Sequence, residues 1–594
     1  MDTTETKEPP KPAVPLKLKV MASLAPLLLL MTVVSTVMLV HWRSRYGRLA
    51  REKRQRTLAL PILERARENL ERAEKDLRIP SALPEDIASM AERAAGTASD
   101  ALDKFPEYEE AWRLRGRALE VQYNFDEARS DYEKALSLHP ESPARYHLGV
   151  LLTRLLARAR LAELRTSLVN PEELRDNAVA HLRRYQAPSP EFKFSVDEKF
   201  RFTSSACVAY ALGDYDKVAS LANTAATLDP TDWLMPYLRG MAAFELKRSD
   251  DALAALELAW RIAPNLADPL AWRGRVLGQA GRRGQGIAAL DRAIEINPHF
   301  LEAYLLRGSL LYEEGRFAEA RSDFDMCAQL RPSLPDIHLR RGIAFYESWV
   351  RSGRTTDADL QAAEESFTRY LAANPKDPDA LLRRARVRMG RRNAPGAEED
   401  LGAAVAAAPG STEARGLRAE FYESQGKWAL ADRDCTAVLE KEADQPEALR
   451  RRARVRAKAA RPDDALADYD RLIARDPNDA GLYLEKGGLQ SMAGRADDAL
   501  ATVEKGLALV PRNARLLTLR AEVRLRKGDA EAAIRDAGDA AAIDPQHADA
   551  LVVRGRAHLE RGDKAAALAD FRKALAMRPD LKDELAPLIE KANP

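Results

Sequence analysis

Eight histidines, three cysteines and the glycine-rich run GRRGQG at Gly281–Gly286 are the parts of this chain from which catalysis or ligation could be built. Metal sites need His, Cys, Asp or Glu at short fixed spacings such as HExxH or CxxC, because two ligands must reach one ion from one helix face or one turn. No such spacing occurs. The histidines are scattered, with His41 at an apolar boundary and His299 and His547 in turns, while Cys207, Cys327 and Cys435 lie more than a hundred residues apart. An odd number of distant thiols gives no disulfide framework, and these read as small buried hydrophobes. GRRGQG lacks both a preceding strand and the Lys-Ser/Thr pair of a phosphate loop, and no GxSxG elbow is present. Acidic and basic residues alternate as on solvated helix faces. The expectation is therefore no enzyme: no catalytic residue, metal, cofactor or small-molecule substrate.

One charge does recur in register. Arg precedes Gly at 115–116, 239–240, 273–274, 307–308, 341–342 and 554–555. In seven places an Asp follows the arginine at the same offset: Arg115 with Asp131, Arg307 with Asp323, Arg384 with Asp400, Arg418 with Asp434, Arg452 with Asp468, Arg520 with Asp536, and Arg554 with Asp570. Leu148, Ser205 and Lys486 stand where the arginine is missing, and none of them has the Asp. The pairing predicts a bidentate ion pair across a helical hairpin, with the arginine stem packed between the helices. The rival reading is a ladder of arginines gripping a ligand.

The elements that would position these residues follow from a ruler of prolines. Pro230, Pro264, Pro298 and Pro332 are 34 residues apart, as are Pro375 and Pro409, and again Pro477, Pro511, Pro545 and Pro579. With each proline set at position 32 of a 34-residue unit, position 8 is Gly or Ala in thirteen units, from Gly116 to Gly555. Position 20 is mostly Ala, position 24 is often large (Tyr132, Phe324, Phe571), and position 15 is frequently Gly. Small residues at 8 and 20 let two helices approach, 24 fills the space beyond, Gly at 15 makes the turn, and Pro ends the second helix. One such hairpin cannot bury its own apolar face, so the units must stack.

Stretches such as EAWRLRGRALEVQYNFDEARSDYEKALSLHP (residues 110–140) resemble the tetratricopeptide repeat family, with Trp112, Gly116, Ala128, Tyr132, Ala135 and Pro140 at its signature positions. The resemblance covers residues 109–579 and implies an all-α helix-turn-helix solenoid, a right-handed superhelix of about thirteen units. Its insertions, near 154–169 and 348–358, are expected to interrupt the stack without serving it. Residues 580–594 read as a capping helix.

The resemblance also implies a concave groove lined by positions 5, 9 and 12 of each first helix. Here those positions carry Arg113, Arg117, Arg275, Tyr312, Tyr346, Arg386, Arg450, Arg454 and Arg556. Arg and Tyr anchor peptides well, so the expected partners are proteins or peptides, acidic ones or free C-termini among them. The alternative is a set of ordinary solvated arginines interrupted by glutamates. No unit has the position-9 Asn of the family's carboxylate clamp.

Residues 1–19 form a Pro- and Lys-rich tail of disordered composition. Val20–Val40 is uncharged over 21 residues, the length of a transmembrane helix. Residues 41–108 then read as basic juxtamembrane and lead-in helices. Seven basic residues between Arg43 and Arg56 outnumber the four lysines before the span, which favours a cytoplasmic repeat domain. Overall charge is balanced, 93 Lys+Arg against 91 Asp+Glu, unlike a nucleic-acid binder. The expected function is a membrane-anchored interaction scaffold. A regulatory or assembly subunit of an envelope, polysaccharide or secretion complex is the alternative, and RNA binding by helical repeats a minor one.

Overall fold

A computed structural model describes residues 16–162, 170–187, 197–353 and 357–593. The side chains of 16–33, 42, 44–52, 55 and 56 lie outside the described set, as do most of the N-terminal tail and parts of both insertions. Among the described residues all regular structure is helical. The chain divides into two compact units, residues 1–337 and 338–594.

The first unit begins with α1 (Leu16–Asp76), α2 (Pro84–Lys104), α3 (Glu109–Val121), α4 (Phe125–Leu138), α5 (Ala144–Ala162) and α6 (Pro171–Gln186). It continues through α7 (Glu198–Leu212), α8 (Tyr215–Leu228), α9 (Leu234–Glu245), α10 (Ser249–Ile262), α11 (Ala267–Gln279), α12 (Arg283–Ile296), α13 (Leu301–Glu313) and α14 (Phe317–Leu330). The boundary between units falls in α15 (Pro335–Arg351). Unit two holds α16 (Asp357–Ala373), α17 (Pro378–Gly390), α18 (Ala394–Ala407), α19 (Thr412–Ser424), α20 (Trp428–Lys441) and α21 (Pro446–Lys458). It ends with α22 (Pro462–Arg475), α23 (Ala480–Met492), α24 (Ala496–Leu509), α25 (Ala514–Arg526), α26 (Ala530–Ile543), α27 (Ala548–Glu560), α28 (Lys564–Met577) and α29 (Lys582–Ala592).

The hairpin chemistry is visible at each position. A Cβ added to Gly555 would stand 2.6 Å from the Phe571 ring, and one on Gly116 would stand 2.7 Å from Tyr132. Position 8 therefore packs first beneath the large residue at 24; the backbone of position 20 comes next, with Ala252 O at 3.3 Å from a Cβ on Gly240. Outside the two units with insertions, where position 15 is helical at Leu156 and Trp349, the turn there is left-handed with or without glycine: φ is +76° at Gly315 and +86° at Gly562, but also +62° at Lys247, +58° at Arg392 and +57° at Ala460. The backbone geometry of the hairpin, not the glycine, is the constant.

The C-terminal half of α1 buries Ala59, Leu63, Ala66, Leu70 and Ala73, a 3–4 spacing that lays one stripe against Ala91, Ala94, Ala98 and Ala101 of α2. The expected span at 20–40 lies within this same helix. Among the described residues no helix is long and apolar enough to cross a membrane; the side chains of 20–33 fall outside them. At the other end α29 buries Leu585 and Ala592 beside Phe571 and Leu581.

Both insertions serve the stack, against expectation. The first prolongs α5 to 19 residues and buries Leu156 and Leu161; residues 163–169 lie outside the described set. The second lengthens α15 and α16, so that Trp349 and Leu360 join a core with Phe367 and Val387. Extra turns of helix carry extra apolar side chains, and these find partners on the adjoining hairpin.

Within the first unit the array also closes on itself. Asn265, between α10 and α11, donates from its side chain to the carbonyls of Asp76 (3.3 Å) and Ile79 (2.7 Å), capping the end of α1. The Tyr123 hydroxyl accepts from Ala267 N at 3.0 Å, and α5 packs against α11 and α13. In the second unit each helix packs on those near it in sequence.

Candidate functional site

In all seven Arg–Asp pairs the guanidinium grips both carboxylate oxygens. Arg307 Nε donates to Asp323 Oδ2 at 2.9 Å and Nη2 to Oδ1 at 2.6 Å. The corresponding pairs are 2.7 and 2.6 Å for Arg115–Asp131, and 2.9 and 2.6 Å for both Arg384–Asp400 and Arg452–Asp468. Arg418–Asp434 (2.7 and 2.7 Å), Arg520–Asp536 (2.9 and 2.7 Å) and Arg554–Asp570 (2.8 and 2.6 Å) repeat the geometry. The aspartates are buried. Burial pushes the carboxyls of Asp131 and Asp323 upward against the pull of their arginines, and the hydrogen bond to Asp323 raises the Arg307 guanidinium further. Where position 23 is Ser366, Arg341 Nη1 donates to its hydroxyl at 2.8 Å.

A second contact of these arginines was not anticipated from the pairing. The remaining Nη1 reaches back to the preceding hairpin: Arg307 to Asp291 (2.7 Å), Arg115 to Ser99 (3.3 Å), Arg384 to Thr368 (3.2 Å) and Arg452 to Thr436 (3.2 Å). Arg239 reaches Asn223 in the same way, at 3.1 Å. Each acceptor precedes its arginine by 16 residues, the mirror image of the forward spacing, so the signal stood in the sequence. One guanidinium thus ties three helices from two repeats.

The candidate groove residues fall into two groups. In the first unit the chain itself engages them. Arg117 Nη2 donates to both Glu74 oxygens on α1 at 2.7 Å, Arg275 donates to the Leu161 carbonyl at the end of α5, and Arg113 lies 3.5 Å from Glu109. Tyr312 meets Phe317 edge-on at 5.1 Å. In the second unit Tyr346 leans on Trp349 at 5.9 Å. The second unit's arginines stay in contact with solvent: Arg386 at 34% exposure with Glu413 (2.9 Å), Arg454 at 46% with Glu423 (3.0 Å), and Arg556 at 40% with Glu584 (2.7 Å). Arg450, at 40%, reaches Asp479 at 3.3 Å.

A buried charge cluster escaped the sequence reading. Arg158 Nε donates to Asp268 Oδ1 at 2.8 Å, and Arg154 donates to Asp268 Oδ2 and Glu120 Oε2, each at 3.2 Å. Asp268 is fully buried. Burial alone would raise its carboxyl, but the two guanidiniums outweigh that and hold it at about 2. Burial dominates at Glu120 and Glu302, which are raised. The signal for this cluster was Arg154 and Arg158, four residues apart on one face of the mostly apolar helix LLTRLLARARLA, whose third arginine is Arg160. Among the described residues no group of three or more His, Cys, Asp and Glu is placed to hold a metal. All three cysteines are buried.

Three descriptions of the tetratricopeptide repeat match the chain: one at residues 204–267, 273–335, 357–412 and 518–581, a second at 456–523, and a third at 109–142. Together they cover more than half of it. No curated protein matches. Among solved structures the chain is similar to a tetratricopeptide repeat protein from Parabacteroides merdae, at 21% identity over 43% of this chain and 98% of that one, with a TM-score of 0.33. It is similar to the C-terminal part of a TPR repeat-containing protein from Cytophaga hutchinsonii (19% identity, 42% and 98% covered, TM-score 0.36). It is also similar to a chain of the Naa15/Naa10 complex bound to HypK-THB (15% identity, 90% and 96% covered, TM-score 0.35).

Proposed function

The chain belongs to the tetratricopeptide repeat family, and from that premise we propose that it is an interaction scaffold whose second unit takes up acidic segments of partner proteins. One observation carries the reading. The groove arginines Arg386, Arg450, Arg454 and Arg556 are one-third to one-half exposed, and three of them rest on carboxylates that are themselves accessible, Glu413, Asp479 and Glu584. Exposed ion pairs of this kind contribute only about 0–1 kcal/mol each. A partner's carboxylate can replace Glu413 or Glu584 at little cost, whereas replacing buried Asp323 would strand a charge. The test is fluorescence anisotropy with a labelled Asp/Glu-rich peptide. Binding should weaken at least about tenfold in Arg450→Glu/Arg454→Glu and fall with salt. An unchanged affinity in the double variant defeats the reading.

We further propose that Val20–Val40 tethers the scaffold to a membrane, with the repeats on the cytoplasmic side. Supporting this are its 21 uncharged residues and the exposure of Val37 (63%), Met38 (70%) and Val40 (62%) on α1, apolar surface that water disfavours. Release of the full chain from membranes by alkaline carbonate would refute the tether. An export-dependent reporter signal after Pro594 would reverse the orientation.

A further inference from the structure

Seven of the recurring arginines grip an aspartate on the following helix, and Arg239, in the middle of α9, grips none. Ala255 stands where that aspartate would be, and its backward acceptor is the neutral Asn223, which takes Nη1 at 3.1 Å. Arg273, whose forward position is Ala289, still has Glu257 behind it at 3.0 Å. Among the described residues Nε and Nη2 of Arg239 make no hydrogen bond, and neither is sealed from water.

This arginine faces away from the inner groove. It lies two residues from Tyr237 and from Met241, positions 5 and 9 of its repeat, and two residues turn about 200° around a helix. Second helices flank it instead. Toward the start of α9 it borders a cavity of about 220 Å³ walled by Ala222 and Ala226 of α8 and by Leu258 and Ile262 of α10. Toward the end of α9 it borders another of about 250 Å³, with Ala219 of α8, Ala243 and Leu246, and Ala254 of α10. Ala222 holds position 24, filled elsewhere by Tyr132, Phe324 or Phe571, and Leu258 is 44% exposed. Met235 and Leu246, one in each lining, are about 16 Å apart along the helix. About five extended residues span that distance.

The linings also hold Asp232, Arg248 and Asp251, but neither aspartate pairs with Arg239. Asp232 accepts from Leu234 N at 3.0 Å, and Arg248 reaches Asp216 at 3.7 Å. An incoming carboxylate can therefore meet the open edge of Arg239 without displacing one already there. A bare anion would leave the apolar walls on either side wet. We propose that this outer face of the first unit docks a segment of a partner protein in which an Asp or Glu lies between two apolar residues, with the carboxylate on Arg239 and one apolar side chain in each cavity. It stands or falls separately from the arginine groove of the second unit.

The probe is a random dodecapeptide library displayed on phage and selected on the full chain, with enriched peptides synthesised and titrated by fluorescence anisotropy. Peptides with an Asp or Glu between apolar residues should be enriched and should bind Arg239→Gln at least about tenfold more weakly. Ala255→Asp gives the arginine the aspartate it lacks. It should weaken the same peptides while leaving the urea midpoint equal or higher, a combination that damage to the fold would not produce. Should that variant misfold by circular dichroism, Ala226→Phe, which fills the first cavity from its half-buried wall, takes its place and should weaken them likewise. Arg450→Glu/Arg454→Glu should leave these affinities unchanged. The proposal is overturned if no enriched peptide both carries the acid and loses affinity for Arg239→Gln, if the Ala255→Asp or filled variant binds as tightly as the native chain, or if the peptides respond to Arg450→Glu/Arg454→Glu instead, which would place them in the inner groove.

Discussion

Arg307 illustrates how one side chain can hold two interactions of unequal worth. Its bond to Asp323 is bidentate and largely dry, with the aspartate side chain 4% exposed, whereas Asp291 is 48% exposed. A double-mutant cycle of Arg307→Met with Asp323→Asn should give a coupling of about 1–3 kcal/mol, and one with Asp291→Asn below about 0.5 kcal/mol. Equal couplings would mean that burial does not set the value. Asp268 carries a pH dependence. Its carboxyl sits at about 2 in the folded chain, below the unfolded aspartate value, so the stability it confers is complete above about pH 5 and is lost as pH falls toward 2. The stability gap between the native chain and Asp268→Asn should therefore narrow by about 2 kcal/mol between pH 5 and pH 2. A gap that stays constant would show the carboxylate to be uncoupled from its arginines.

At the scale of the element, the hairpin turn and its closest approach both favour glycine, for different physical reasons. Position 15 needs φ near +60 to +85°, a region costing a side-chain-bearing residue about 1 kcal/mol. Ala460 adopts +57° at an exposed turn, so Ala460→Gly should raise stability by about 0.5–1 kcal/mol despite the added freedom of the unfolded chain. Position 8 needs a small residue, Gly or Ala, and where the hairpin has closed on a glycine it leaves no room for a Cβ. Gly555→Ala would place a methyl 2.6 Å from a fully buried Phe571 and should cost about 1–3 kcal/mol. The pair reverses the usual helix propensities, in which alanine is favoured over glycine; urea denaturation of both variants would show whether turn and packing geometry prevail.

Across the first unit, closure makes distant repeats depend on each other. Asn265 satisfies the carbonyl ends of α1 from nearly two hundred residues away, so Asn265→Ala should speed amide exchange around Leu77 and Ala82 as well as locally. Exchange changed only near residue 265 would mean that the end of α1 is held otherwise. A purely neighbour-coupled solenoid would show no such transmission.

The 34-residue period, the helix boundaries around each proline and the Arg–Asp register were legible because each is local. A hairpin repeats its own packing rules, and a residue 16 positions on always faces back across the same turn. The backward contacts to Ser99, Asp291 or Thr368 were legible by the same rule, although the forward pairs drew attention first. Three things were decided only in the tertiary structure. The first insertion carries Arg154 and Arg158 onto Asp268, more than a hundred residues away. Arg117 and Arg275, alike in sequence to Arg386 and Arg454, are consumed by Glu74 and the end of α5. A cavity forms between the second repeat and the sixth. Apart from the neighbouring contact of Arg117 with Glu74, these depend on how far a stack curves before it meets itself, a sum of small rotations between hairpins that no single repeat encodes.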